Sequence, residues 1–86
     1  MTPEEARELI AQSLIDIVPD ADMADVSPDA DIREYFELDS LDFVELVERL
    51  SKRADYRIEE EEYPQLRTLA TASAFLASHA GSRPVA

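Results

Sequence analysis

Apolar residues recur at spacings of three and four in the first part of the chain, which is the periodicity of an amphipathic helix. The pattern runs from Thr2 to Val18, and Pro19 predicts its end. The opening residues Thr2-Pro3-Glu4-Glu5 can form a capping box with proline at the first helical position. The predicted inward stripe consists of Ala6, Leu9, Ile10, Leu14, Ile17 and Val18.

The next segment, Pro19 to Asp31, is rich in Asp, Ala and Pro and predicts a long loop, with Val26 as its apolar anchor. Residues 31–36 are predicted to form a short helical turn that places Ile32 and Phe36 against the core. A second long helix is predicted from Ser40 to Arg53.

The last part of the chain predicts a connector and a third long helix. The connector, Ala54 to Arg67, contains an acidic run and a proline, and we expect a brief helix within it. Thr68 is a suitable cap for a helix that ends near His79, where Gly81, the only glycine, closes it.

This order of elements predicts an all-α fold, because no alternating strand or hairpin pattern accompanies it. We expect a small four-helix bundle made of three main helices plus one short helix, with a long first loop. Residues 1–86 are expected to form a single domain, and residues 82–86 a frayed tail.

The second long helix has two apolar faces. Phe43, Leu46, Val47 and Leu50 fall within roughly 100° of one another, which predicts a core face. Leu41 and Val44 project from nearly the opposite side, with Glu45 and Glu48 beside them. This second strip is either a docking surface for a basic partner or a surface covered by the long loop or the brief helix.

Composition narrows the possible functions. With 86 residues and no cysteine, the chain allows one small domain without disulfides or thiolate metal sites. The net charge of −12 disfavours nucleic acid and anionic lipid and favours partners with basic surfaces. Counted from Asp20, the acidic loop has Asp25 at the sixth position and Asp31 at the twelfth, where the calcium-binding EF-hand pattern requires glycine and glutamate. No metal site is therefore predicted.

Location follows from two further features. No apolar run approaches the ~20 residues that a membrane-spanning helix requires. The residues from Met1 onward lack the basic and then apolar pattern of a signal peptide. We therefore expect a cytoplasmic protein with no membrane span. We also expect a monomer.

Ser40 begins the two-faced helix, within the sequence Leu38-Asp39-Ser40-Leu41-Asp42. A helix N-terminus offers free backbone N–H groups and a positive dipole end, which favour a phosphate there. By position alone, however, Asp39 or Ser40 would more often be a simple helix cap. Asp39 and Asp42 would not stabilise a phosphate, and they suit caps or contacts for basic groups or metal ions on a modifying enzyme.

The stretch from Phe36 to Val47 resembles the Asp-Ser-Leu attachment motif and following recognition helix of acyl carrier proteins. The first helix, the Asp/Pro loop and the closing helix match that family in order and spacing, so the resemblance covers most of the chain. It implies a carrier without catalysis of its own, in which a phosphopantetheinyl transferase attaches 4′-phosphopantetheine from coenzyme A to Ser40. Acyl groups would be held as thioesters on that arm.

The resemblance also implies roles for the neighbours of Ser40. Asp39 matches the aspartate that precedes the modified serine. The positions that would dock acyl-transferring and synthase enzymes through basic patches are Leu41, Asp42, Val44, Glu45 and Glu48.

Two departures from the family pattern leave details open. Glu37 stands where the family usually has glycine, and glycine tolerates backbone conformations that glutamate does not, so the sequence leaves the local turn undefined. A basic stretch from Arg49 to Arg57 stands where carriers of fatty-acid synthesis are commonly acidic. Fatty-acid synthesis and a specialised lipid or polyketide pathway both stay open, as do an aminoacyl cargo and an unmodified acidic interaction module.

Overall fold

Three long helices form the framework of the computed structural model, which describes residues 1–85. They are α1 (Pro3–Ile17), α3 (Ser40–Ala54) and α4 (Leu69–His79), with a single turn, α2 (Ile32–Tyr35), before α3. A 3-10 helix, Glu60–Leu66, precedes α4. No strand is present among residues 1–85. The predicted all-α bundle is confirmed, and the brief helix of the connector is of the 3-10 type.

The helices begin where their capping residues predict. In α1 the Thr2 hydroxyl accepts from the Glu5 backbone N–H at 3.1 Å, and Glu5 Oε1 accepts from the Thr2 N–H at 2.8 Å, which completes the capping box. The Thr68 hydroxyl accepts from the Thr71 N–H at 3.1 Å and starts α4. At the other end of α4, Gly81 adopts a φ of +78°, a conformation that glycine tolerates best.

The core lies between α1 and the two other long helices. α1 packs against both α3 and α4, and the 3-10 helix packs against α4. The long loop is fastened to this core through Val26, which is buried as predicted, and through the Ala70 N–H, which donates to the Pro28 carbonyl at 3.0 Å. Fully buried side chains contributed by the helices include Ile10, Leu14, Leu46, Leu50, Leu66, Leu69 and Leu76.

A second cluster joins the end of α3 to the C-terminal segment. The Tyr56 hydroxyl donates to Glu62 Oε2 at 2.6 Å, and the Arg83 guanidinium lies 4.5 Å from the centre of the Tyr56 ring and also bonds Glu62. Tyr56 is only 2% exposed, so this aromatic side chain belongs to the buried core. Glu62 is held in this cluster because Tyr56, Arg83 and the Glu59 N–H all donate to it.

The segment predicted to fray begins with residues that make contacts. The Arg83 carbonyl accepts from the Arg57 N–H at 2.7 Å, and the Arg83 side chain donates to the Arg57 carbonyl at 2.9 Å. Fraying therefore stays a prediction for the residues after Arg83, of which Ala86 lies outside the described part of the chain. Among residues 1–85, none of the helices is both long enough and apolar enough to cross a bilayer.

Candidate functional site

Ser40 is the first residue of α3, and its side chain is exposed. The cap of this helix is Asp39, whose Oδ1 accepts from the Asp42 N–H at 2.8 Å. Asp42 Oδ2 in turn accepts from the Asp39 N–H at 3.4 Å, which gives a capping box made of two aspartates. The Ser40 hydroxyl takes part in no hydrogen bond within residues 1–85. Position alone allowed either residue to cap, and the structure assigns that role to Asp39.

The turn before Ser40 brings Glu37 into a left-handed conformation with a φ of +54°. The Leu38 N–H donates to the Arg33 carbonyl at 2.9 Å, and the Glu37 N–H donates to the Glu34 carbonyl at 3.3 Å. These two bonds form a Schellman motif that ends α2, and glycine is the usual residue at the left-handed position. The local turn is therefore the one that glycine would favour, with glutamate in its place.

The outer strip of α3 is exposed. Leu41 is 80% exposed and Val44 is 44% exposed, whereas Phe43, Leu46 and Val47 on the other face are buried. The two-faced helix is thus confirmed, and the alternative in which the loop or the brief helix covers the outer strip is wrong. Three acidic side chains accompany the outer strip, with Glu45 and Glu48 exposed and Asp42 half-buried.

A groove of about 360 Å³ begins at Ser40 and runs between α3 and the 3-10 helix, and we call it the Ser40 groove. Its apolar wall comprises Phe43 and Val44 of α3 with Tyr63 and Pro64 of the 3-10 helix. Phe43 and Tyr63 meet edge to face with their ring centres 5.4 Å apart, which fixes this wall. The exposed serine therefore opens onto a mostly apolar channel that suits an elongated group attached to it.

The polar rim of the Ser40 groove contains two arginines that the sequence interpretation missed. Arg33 lies 4.7 Å from the centre of the Phe43 ring, and Arg67 Nε lies 3.3 Å from Asp31 Oδ2. Arg33 lies in α2, before Ser40 in the sequence. Arg67 comes after both α3 and the 3-10 helix. Only tertiary packing joins them, and no periodicity in the sequence signals that proximity.

The basic end of α3 is largely paired within the protein. Asp16 of α1 accepts from both Arg49, at 3.3 Å, and Arg53. Arg49 also pairs with Glu45 at 3.0 Å, and Arg53 donates to the buried Ser13 hydroxyl at 2.9 Å. The stretch that differs from the family pattern thus joins α1 to α3, and much of its positive charge is offset inside the domain.

No group of three or more His, Asp or Glu side chains within residues 1–85 is arranged to hold a metal ion. The candidate site comprises the free serine hydroxyl, the capping aspartates, the exposed apolar strip with its acids and the Ser40 groove.

Comparisons with known proteins agree with this geometry. The family model described as "Phosphopantetheine attachment site" matches residues 7–76. An acyl carrier protein of Rubrobacter xylanophilus is 36% identical over 76 residues, which cover 85% of this chain and 94% of that protein. A protein of Streptomyces avermitilis named polyketide-8 synthase acyl carrier protein 2 is 36% identical over 78 residues, covering 91% of this chain and 84% of that protein.

The matches extend over most of the chain, and the cofactor of the family, 4′-phosphopantetheine, suits the geometry at Ser40. An exposed hydroxyl that no structural bond engages can accept a covalent arm without loss of the fold, and the groove beside it accommodates a long apolar group. The chain belongs to the acyl carrier protein family, whose members are phosphopantetheine-bearing carriers.

Proposed function

We propose that Ser40 is the attachment site of the 4′-phosphopantetheine arm and that the chain works as a single acyl carrier domain. The observation that carries this proposal is the division of roles at the start of α3. Asp39 caps the helix, which leaves the Ser40 hydroxyl exposed and without a structural bond. A phosphopantetheinyl transferase can then modify Ser40 without removing a contact that the fold requires.

The arm supplies a terminal thiol, on which acyl groups are held as thioesters. The protein contributes the attachment oxygen, the groove and the surface that partner enzymes recognise, and it performs no catalysis of its own. Exposure of Leu41 and Val44 beside Asp42, Glu45 and Glu48 supports a docking surface for acyl-transferring and synthase enzymes with basic, partly apolar patches.

The protein is proposed to act as a monomer in the cytoplasm, in fatty-acid synthesis or in a specialised lipid or polyketide pathway. One relative bears the name of a polyketide synthase carrier, which supports the specialised class, whereas the general name acyl carrier protein fits either class. The acyl groups bound to protein isolated from its native cells, identified by mass spectrometry, would distinguish the two and would reveal an aminoacyl cargo.

Attachment is tested by incubating the protein with coenzyme A and a broad-specificity phosphopantetheinyl transferase and then measuring its intact mass. Wild type is expected to gain one phosphopantetheinyl group, and Ser40→Ala is expected to gain none. Ser78→Ala, which removes an exposed serine of α4, is the matched control and should be modified like wild type. An unchanged wild-type mass, or a gain that persists in Ser40→Ala, would overturn the attachment and favour an unmodified interaction module.

A further inference from the structure

The start of α3 favours a phosphate on Ser40, but the carboxylates around this serine oppose one. Asp39 and Asp42 lie next to it in the helix cap, and the whole chain carries a net charge of −12. A phosphodiester on Ser40 would be repelled by these carboxylates. Two cationic side chains, Arg33 and Arg67, share the Ser40 groove with the serine.

Arg33 is held in a defined place and its charge is available. Its guanidinium carbon lies 4.7 Å from the centre of the Phe43 ring, a distance typical of a cation–π contact. Phe43 follows Ser40 by three residues and so lies one turn along the same face of α3. Within residues 1–85, the Arg33 guanidinium forms no salt bridge with a carboxylate. The cation is therefore held in the Ser40 groove without an acidic partner.

Arg67 approaches the groove from the segment that precedes α4. Its Nε pairs with Asp31 Oδ2 at 3.3 Å, and its side chain is 72% exposed. In the part of the chain that the structure describes, the two terminal nitrogens of Arg67 make no hydrogen bond. Guanidinium groups are well suited to bind phosphate oxygens through such paired donors.

We propose that Arg33 and Arg67 form an anion clamp that holds the phosphodiester of the arm on Ser40. The apolar wall of Phe43, Val44 and Tyr63 then packs against the carbon skeleton that follows the phosphate. The clamp offsets the repulsion from the capping aspartates and directs the first part of the arm along the Ser40 groove. It rests on the proposed attachment at Ser40 and adds positioning residues to that site.

The clamp is tested by ³¹P NMR on the modified protein. A phosphodiester that the clamp holds tumbles with the domain and gives a broader line than one on a freely moving arm. We expect the line to narrow by about twofold in Arg33→Gln/Arg67→Gln, because the arm then moves independently of the domain. Added salt should narrow the wild-type line and leave that of the double variant unchanged, since salt screens the ion pair.

Three further variants separate the clamp from general effects. Arg67→Gln tests the clamp without disturbing the Phe43 contact, so it remains informative if loss of Arg33 weakens the fold. Arg33→Lys keeps the charge without the planar fork and should give an intermediate line width. Arg7→Gln makes the same charge change on an exposed arginine of α1 and should leave the line as in wild type.

The mass and NMR measurements separate failure of the clamp from failure of the attachment at Ser40. If wild type gains no mass on treatment with the transferase, or gains it when Ser40 is alanine, the attachment at Ser40 fails. If the mass gain depends on Ser40 but wild type and Arg67→Gln give the same salt-independent line width, the clamp is overturned and the attachment stands.

Discussion

Glu37 carries a backbone conformation that its side chain disfavours. A left-handed conformation costs a residue with a Cβ about 1–2 kcal/mol, whereas glycine adopts it freely. Because this residue ends α2 through a Schellman motif, the conformation is imposed by the bonds of Leu38 and Glu37 to the carbonyls before them. The domain thus keeps the turn that leads into Ser40 at some cost in stability.

Replacing Glu37 by glycine is therefore expected to stabilise the domain. The relief of strain exceeds the extra backbone entropy that glycine loses on folding, so the free energy of unfolding should rise by about 0.5–1 kcal/mol. Glu37→Ala keeps the strain while it removes the same carboxylate, so it should not match this gain. Urea unfolding measures both, and equal stabilities for the glycine and alanine variants would contradict the argument.

Modification of Ser40 should proceed at similar rates in wild type and Glu37→Gly, since the turn is the same.

Asp39 combines a structural role with a charge next to Ser40. Asp39→Ala removes the cap and should lower the free energy of unfolding by about 1 kcal/mol. Asp39→Asn retains an oxygen that can cap the helix, and asparagine and aspartate cap about equally well, so its stability should stay close to that of wild type.

The pair of variants also shows whether the charge of Asp39 is used by the modifying enzyme. We expect Asp39→Asn to be modified more slowly than wild type despite its intact cap, because a transferase with basic groups would lose an attractive carboxylate. The rate of mass gain measures this effect. A wild-type rate in Asp39→Asn would mean that the aspartate serves the helix alone.

At the scale of the elements, local patterns predicted the long helices well. The capping residues and apolar stripes predicted α1, α3 and α4 to within one residue at every end. Helix ends depend on residues three or four apart, so a short stretch of sequence contains the necessary information. The same locality predicted that Leu41 and Val44 share a face but left open whether another element covers it.

Features that depend on distant residues could not be predicted in this way. Tyr56 contacts Glu62 and Arg83, and Arg49 and Arg53 pair with Asp16 of another helix. Charged residues appear in a sequence as solvated groups unless their partners are known. The proximity of the two arginines to Ser40 could not be predicted for the same reason.

The Tyr56, Glu62 and Arg83 cluster makes stability depend on pH. Burial raises the pKa of Glu62, but hydrogen bonds from Tyr56, the Glu59 N–H and Arg83 outweigh it and hold this pKa below its usual value. The same hydrogen bond to Glu62 raises the pKa of Tyr56. A depressed carboxyl pKa contributes stability above the pKa of the unfolded chain, about 4.3 for glutamate, and this contribution is lost as pH falls through the folded pKa.

Glu62→Gln should therefore be less stable than wild type near neutral pH, and the difference should shrink as the pH falls below the usual glutamate pKa. Thermal unfolding at several pH values measures this. Tyr56→Phe removes one stabilising hydrogen bond from the carboxylate, so the pKa of Glu62, followed by NMR of its carboxyl carbon, should rise. A difference between Glu62→Gln and wild type that is independent of pH would contradict the assignment.

At the scale of the whole molecule, the acidic field and the exposed strip of α3 act together. Most of the positive charge at the end of α3 is paired with Asp16 and Glu45, so partners that approach the start of the helix meet carboxylates and apolar groups. A carrier must leave one enzyme to reach the next, which favours weak contacts dominated by exposed charges. Such contacts speed encounter and add modest affinity.

Glu48 is the most direct probe of this surface, because it is exposed and pairs with no basic side chain within residues 1–85. Each exposed ion pair adds up to about 1 kcal/mol to the binding free energy. Glu48→Lys should therefore weaken binding to a partner synthase or transferase by about three- to tenfold. Added salt should reduce the difference in affinity between this variant and wild type. Leu41→Ser should weaken the same complex while the free energy of unfolding stays unchanged, since the leucine is 80% exposed.

Glu61→Lys provides the matched control for the charge reversal, because it makes the same change on an exposed residue of the 3-10 helix beside α4. It alters the net charge of the molecule as much as Glu48→Lys does, so it measures the effect of the overall field alone. Isothermal titration against one partner enzyme at two salt concentrations compares the variants. Equal losses of affinity in Glu48→Lys and Glu61→Lys would mean that partners sense only the total charge. A loss confined to Glu48→Lys and Leu41→Ser, and reduced by salt in the lysine variant, assigns docking to the outer strip of α3.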